Sequence, residues 1–327
     1  MIKKLIVFSI VGALALLAPL LWLLWQSSVL HQPSSPVEVM IPKGASTIKI
    51  GQLLEAQDVI PSKIAFRFAT RLKGVSAGLK SGYYHFEEAA SINDVIERIE
   101  RGDVMQFQVT VPEGLRNDEI IALLAGKTGV EIAAWQTELK KLVPDGAEGR
   151  LLPETYQYTK PLNAAELLSS MIKAQQKVLT ALSPDPVVQQ HIRIAASIIE
   201  KETMLDHERL LVSAVIRNRL KKRMPLQMDP TVIYGIWKTT GSFSGNIHRK
   251  DLSTDTPWNS YTRRGLPPTP IGNPGTASLK AAAAPADVDY LYFVADGTGG
   301  HKFATTHEGH LANVERWIKI ERQKNGK

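Results

Sequence analysis

From Leu5 to Trp25 the chain carries no charged residue, and this stretch constrains the fold more than any other. An apolar helix of about 20 residues is long enough to cross the hydrocarbon core of a bilayer. The run is longer than the apolar part of an ordinary signal peptide, and the following "WQSSVLHQPSSP" offers no small-x-small cleavage site. Lys3 and Lys4 precede it, and no Lys or Arg follows until Lys43. That asymmetry leaves the N-terminus cytoplasmic and sends the rest across the membrane. Residues 1–25 therefore read as a single-pass anchor in the inner (cytoplasmic) membrane, and 26–36 as a Pro/Ser-rich linker. The body is then periplasmic, or more generally extracytoplasmic. A cleaved signal peptide is the alternative reading, and it exports the same body.

Export limits what the remaining composition can mean. The net charge is +7, and "RNRLKKR" (217–223) would suit nucleic acid in another compartment. On an exported domain it reads as a solvated helix end, with cations near the C-terminal dipole, and no nucleic acid is expected. The mild basic excess suits an acidic polymer or an anionic surface equally. The absence of cysteine excludes disulfides, thiolate catalysis and Cys-based metal sites.

Behind the linker one pattern occurs twice. "VEVMIPKGASTIKIGQLLEA" begins at Val37 and "FQVTVPEGLRNDEIIALLAG" at Phe107. Pro42 matches Pro112, Gly44 matches Gly114, Ile50 matches Ile120, and Leu53-Leu54 match Leu123-Leu124. Each copy reads as an alternating strand, a Pro-x-Gly turn and a short amphipathic helix. Ser46 is a plausible N-cap of the first helix. A third unit, "GYYHFEEAASINDVIERIERG", adds an aromatic strand and a helix opened by the Ser91-x-x-Asp94 capping box. Residues 37–125 are thus small strand–helix units of the kind that bind ligands on a surface.

From 126 to 327 the composition changes to longer helices. "NAAELLSSMIKAQQKVLTAL" is amphipathic and opened by Asn163; a helix carrying Glu200 follows, then another from Asp206 to Lys222. "GLPPTPIGNPG" (265–275) has four prolines and three glycines in eleven residues, which forces an irregular course. "SLKAAAAPAD" reads as a short helix, "VDYLYFVADGTGGHKFATT" as a hairpin, and "HEGHLANVERWIKI" as the last helix. Helices with a small antiparallel sheet make the class α+β.

Chemistry concentrates in "AASIIEKET". Glu200 and Glu202 stand two apart in an apolar run, so on a helix they point to nearly opposite sides. Glu202 shares a face with Asp206 and Arg209, and an ion pair with Arg209 would satisfy it. Glu200 shares its face with Arg193, Ala196, Ser197, Thr203 and Met204, mostly small residues that leave room for a ligand. Desolvation there would raise a carboxyl toward the range of a general acid at neutral pH. A plain ion pair with Arg193 is the competing reading of Glu200. "GTGGH" (297–301) lacks the strand–loop–helix context and the lysine of a phosphate loop, and reads as a hairpin turn. His301, His307 and His310 lack a clear acidic third ligand, so no metal is expected. No Ser sits in a G-x-S-x-G elbow.

"AASIIEKET", "VIRNRLKKRMPLQMDPTVIYG", "WNSYTRRGLPPTPIGNPG" and "YFVADGTGGHKFATTHEGH" together resemble the YceG-like endolytic murein transglycosylases. Order and spacing agree from about residue 37 to the end. The resemblance implies a LysM-like module at the front and a YceG-like catalytic domain behind it. It puts the catalytic glutamate on the first Glu of "EKET", Glu200. It implies peptidoglycan glycan strands as substrate, cell-wall synthases as partners, and no cofactor. Hydrolytic glycosidases generally use two carboxylates. A lytic transglycosylase needs one, which protonates the glycosidic oxygen and then takes the proton of the muramic C6 hydroxyl as that oxygen closes on C1. Gln227, Asp229, Tyr234, Asn259 and Tyr261 are the candidates for holding the sugars. Amides suit acetamido groups, Tyr faces suit sugar rings, and each residue could instead serve a turn or the core. Two departures from the family pattern are expected to matter little: Trp258–Tyr261 keeps an aromatic and a hydroxyl, and Met228 would alter one subsite contact. A non-catalytic wall-binding scaffold and a hydrolase are the competing function classes.

Overall fold

The computed structural model describes residues 17–146, 148–243 and 245–325. Most of the expected anchor, its first sixteen residues, lies outside them. Among the described residues no helix is long and apolar enough to cross a membrane. A helical segment over 17–28, α1, presents Leu21, Trp22 and Trp25 to the exterior.

The chain divides into two compact units: 1–108 with 157–163, and 109–156 with 164–327. The division falls at Gln108, ahead of the 125/126 boundary expected from composition, and assigns the second copy of the repeat to the second unit. The two copies differ in strand partner. β1 (Val37–Ile41) pairs antiparallel with β2 (Gly82–Phe86), setting Val39 opposite Tyr84. β3 (Phe107–Thr110) pairs instead with β4 (Thr155–Tyr158).

In the first unit α2 (Thr47–Ala56) and α3 (Lys63–Leu72) lie between β1 and β2 in sequence, and α4 (Ile92–Arg101) follows. Ser46 caps α2, its side chain accepting from the Lys49 N–H. The Ser91–Asp94 capping box opens α4, as its spelling predicts. Ile50, Leu54, Phe66, Tyr84, Ile96 and Ile99 bury their side chains together, each removing some 1.5–3 kcal/mol worth of apolar surface from water. The turns of the two repeat copies match in conformation. Gly44 and Gly114 both hold the left-handed backbone, at φ 75° and 77°, where a side chain would be strained.

In the second unit α5 (Asn117–Thr128) and α6 (Ile132–Leu142) precede β4, and α7 (Ala164–Leu182), α8 (Pro186–Glu202) and α9 (Asp206–Lys221) follow it. Asp185 caps α8, its side chain accepting from Val187 N–H, with Pro186 in the first turn. Arg193, Ile194, Ala196, Ser197, Ile198 and Ile199 are all buried. A helix buried nearly all round is an interior helix, and α8 packs against α7, α9, α10 and α12. α10 (Asp229–Thr240), with Pro230 in its first turn, adds a helix to the elements read from the sequence. α11 (Arg249–Ser253) and α12 (Thr276–Ala283) flank the irregular 265–275 stretch, and β5 (Tyr292–Ala295) with β6 (His301–Ala304) forms the expected hairpin before α13 (His307–Asn325). Helices with small two-stranded sheets make the class α+β, as expected.

The Pro/Gly stretch is held by one side chain. Asn273 is fully buried; its amide donates to Leu115 O and Asn117 Oδ1 and accepts from Leu151 N–H. Ser197 on α8 accepts the Ile271 N–H. The floor beneath the last turns of α8 is therefore fixed by hydrogen bonds rather than by regular structure.

Candidate active site

The two glutamates at the end of α8 do point apart, but their surroundings are the reverse of those expected. Glu200 is the partnered one. Its side chain is 5% exposed; Oε2 accepts the Gly275 N–H at 2.8 Å, and Oε1 lies 3.6 Å from Arg209 Nη2. Arg209 also lies 3.7 Å from Glu113 and is bonded to Asp206. Burial first, and then the charge of Glu200, push the Glu113 carboxyl upward. A side chain on Gly275 would occupy the place of the Glu113 carboxyl, and one on Gly114 would meet Glu200 Cγ at 3.5 Å. Arg193 takes no part, because it donates to Gln175 and Gln190.

Glu202 is the unpartnered one. Its Oε1 is buried and accepts no hydrogen bond among the described residues. Burial, followed by the charge of Asp229, pushes its carboxyl from 4.5 to about 8. The expected pair with Arg209 fails because the helix does not run on. Thr203 is extended (φ −147°, ψ 138°) and α9 starts afresh at Asp206, which re-aims Arg209 toward Glu200. The corner is locked by Glu208, which accepts from Thr203 Oγ1 at 3.0 Å, from the His301 N–H at 2.7 Å, and lies 2.7 Å from His301 Nδ1.

Three of the five expected sugar-holding residues gather around Glu202. Asp229, the first residue of α10, accepts from the Tyr261 O–H at 2.6 Å. Burial, then Asp229, then Glu202 push the Tyr261 phenol upward. Gln227 is exposed beside them in the left-handed region, at φ 54°. Its N–H bonds Ser260 O, and its Oε1 accepts from Arg219. That last bond fixes the amide with its NH2 outward, as a donor for a ligand.

The other two are elsewhere. Asn259 is fully buried, its Nδ2 donating to Thr254 O and Leu252 O and its Oδ1 accepting the Tyr261 N–H. Every polar atom of that side chain is engaged, so it shapes the turn that carries Tyr261. Tyr234 is buried on the far side of α10, its hydroxyl donating to Glu148 at 3.3 Å. Met228 is likewise core, packed with Ile198, Ile199 and Leu226, so it makes no subsite contact. Spacing read Glu202 as paired with Arg209 and did not single out Asn273. Both depend on partners far away in sequence, and only the Pro/Gly density at 265–275 hinted at a fixed floor.

A single convergent carboxyl, poised to hold a proton at neutral pH beside an acid, a phenol and an amide donor, is an arrangement for acid–base chemistry. Among the described residues no cluster of three or more His, Asp or Glu side chains could hold a metal ion. The sequence model of the YceG-like family matches residues 39–316. This chain belongs to that family. Two proteins named endolytic murein transglycosylase are similar to it. The one from Bacillus subtilis strain 168 is 32% identical over 88% of this chain and 86% of its own length. The one from Streptococcus pneumoniae strain D39 is 29% identical over 86% of this chain, which spans only 58% of that relative. The crystal structure of a putative YceG-like protein from Listeria monocytogenes superposes with a TM-score of 0.55, at 28% identity, covering 85% of this chain and 98% of that one.

Proposed function

We propose that this YceG-like protein is a peptidoglycan lytic transglycosylase whose working acid is Glu202. The observation that supports the assignment is geometric: Glu202 Oε1 is buried and accepts no hydrogen bond among the described residues, and the Asp229–Tyr261 pair acts on the same carboxyl. A proton donor to a glycosidic oxygen must hold its proton at the working pH and give it up in the transition state. Glu202 protonates the oxygen between N-acetylmuramic acid and N-acetylglucosamine, and the C1–O bond breaks. The resulting carboxylate takes the proton of the muramic C6 hydroxyl, whose oxygen bonds C1. The product is a 1,6-anhydro end, and no water is consumed. Glu200, the residue that the family resemblance suggested, is the second candidate, and its close partners argue for a structural part.

Residues 1–25 anchor the protein in the inner membrane with the catalytic unit outside, and the strand–helix units behind the linker act as a LysM-like module. The enzyme thus cuts nascent strands within the chain and ends their elongation beside the synthases that make them. Absence of synthases after cross-linking and purification from cells would count against that partnership.

Mass spectrometry of peptidoglycan incubated with the full chain tests the reaction and the residue together. Anhydro-muramic ends are expected from the wild type and from Glu200→Gln, and none from Glu202→Gln. Ends lost only with Glu200→Gln would return the acid to that position. Reducing ends would make the protein a hydrolase, and no cleavage by a folded wild type would favour the scaffold.

A further inference from the structure

The second unit contains a cavity of about 730 Å³ whose lining includes none of Glu202, Asp229, Tyr261 and Gln227. This volume falls within the roughly 300–1,000 Å³ of small-ligand sites. One wall is aromatic. Tyr234 lies 5.6 Å from Trp237 and 5.4 Å, edge to face, from Trp258, whose indole N–H is pinned by Thr269 at 2.9 Å. At the bottom sits Glu148, its Oε1 accepting the Asn117 N–H at 3.1 Å and its Oε2 the Tyr234 O–H. A carboxylate has about four acceptor positions, so two neutral donors leave half of them for a ligand. Burial pushes this carboxyl up to about 7. Gln190 also lines the cavity; its Oε1 is taken by Arg193, so its NH2 is the group it offers.

The cavity is separate from the Glu202 site. Asp229 opens α10 beside Glu202, whereas Tyr234, five residues on, points about 140° away around the helix. The charge acting on Glu202 comes from Asp229, and those acting on Glu148 come from Lys238 and Asp118.

We propose that this cavity is a second glycan-binding site, in which an N-acetylhexosamine unit packs on Trp258 beside Trp237, whose ring is held by Arg116 at 4.0 Å and backed by the buried Tyr234, and donates hydroxyl hydrogen bonds to Glu148. Flat aromatic faces match the C–H faces of a pyranose ring, and a buried acceptor with amide donors around it matches hydroxyls and an acetamido carbonyl. An aliphatic ligand would bring Glu148 no donor. The proposal rests on the transglycosylase reading and deepens it. A hold on the strand away from the scissile bond favours cleavage inside a chain over cleavage at its end.

The test uses the full chain labelled with 5-fluorotryptophan, which gives one ¹⁹F signal for each of its six tryptophans; Trp→Phe variants assign them. Chitotetraose, which has no muramic residue, is titrated into the Glu202→Gln protein. The Trp237 and Trp258 signals are expected to shift saturably. The apparent Kd should rise about tenfold or more, 1.4 kcal/mol, with Glu148→Gln, and likewise with Gln136→Phe, an exposed change at the cavity mouth. Asp229→Asn should leave it within about twofold. On polymeric glycan the two cavity variants, with Glu202 intact, should raise KM and leave kcat alone. No saturable shift of these two signals would overturn the proposal, as would a shift lost with Asp229→Asn or unaffected by both cavity variants. A failed titration beside a wild type that still forms anhydro ends refutes the cavity alone. Absence of anhydro ends refutes the reaction itself.

Discussion

Glu200 and Glu202 stand in the last turn of the same helix, yet one is surrounded by partners and the other has almost none. Around Glu200 an arginine, a backbone N–H and a fixed floor meet the carboxyl, and its exposure is 5%. Around Glu202 the nearest charge is another acid, and a buried oxygen finds no donor. A carboxyl with satisfied partners contributes to architecture; one without them holds a proton it can transfer. The difference lies in the environment, since the two residues are chemically identical.

The largest expected effect is on chemistry. Glu202→Gln should reduce anhydro-end formation by about 10²–10⁴-fold with the circular dichroism spectrum unchanged. Equal activity in that variant would break the comparison. Next comes stability. Glu200→Gln leaves Arg209 with weaker partners in a buried site, and should cost about 2 kcal/mol in urea unfolding, with residual activity at low temperature. Asn259→Ala, which strands several buried carbonyls, should cost about 1–3 kcal/mol while lowering turnover only through the position of Tyr261.

Two pH experiments sharpen the contrast. With Glu202 as the proposed acid, turnover should fall as pH rises through about 8. Removing the neighbouring charge with Asp229→Asn makes ionisation easier and should move that limb to lower pH. The linkage to folding has the same sign. The folded carboxyl binds its proton more tightly than the unfolded one, so stability falls as pH rises from 4.5 to about 8. Glu202→Gln should therefore raise Tm above pH 8 by a few degrees, and change it little below pH 4. A variant without that alkaline gain would mean that Glu202 is not desolvated.

Local features were legible in the sequence, and long-range ones were not. The repeated strand–Pro-x-Gly–helix, the Ser46 cap and the Ser91–Asp94 box are settled by neighbours a few residues away, and each formed as spelled. Helical spacing also separated the directions of Glu200 and Glu202. It could not say which direction meets Arg209, because the periodicity ends at Thr203 and the next helix starts on a new axis. α10 was obscured by its Asp-Pro start and its Gly235, although Pro is favoured in a first turn. Asn259 and Gln227 look alike as amides suited to sugars. Only the carbonyls around Asn259 and the Arg219 beside Gln227 distinguish a turn-builder from a residue with a free donor.

Asn273 sets an order of assembly. Its bonds to Leu151 and Leu115 close loops of 122 and 158 residues, and such distant closures come late because their entropy must be met before they are rewarded. Synthesis runs from the N-terminus, so both glutamates emerge well before residue 273. A chain stopped short of that point carries both carboxyls, without the floor whose Gly275 N–H meets Glu200.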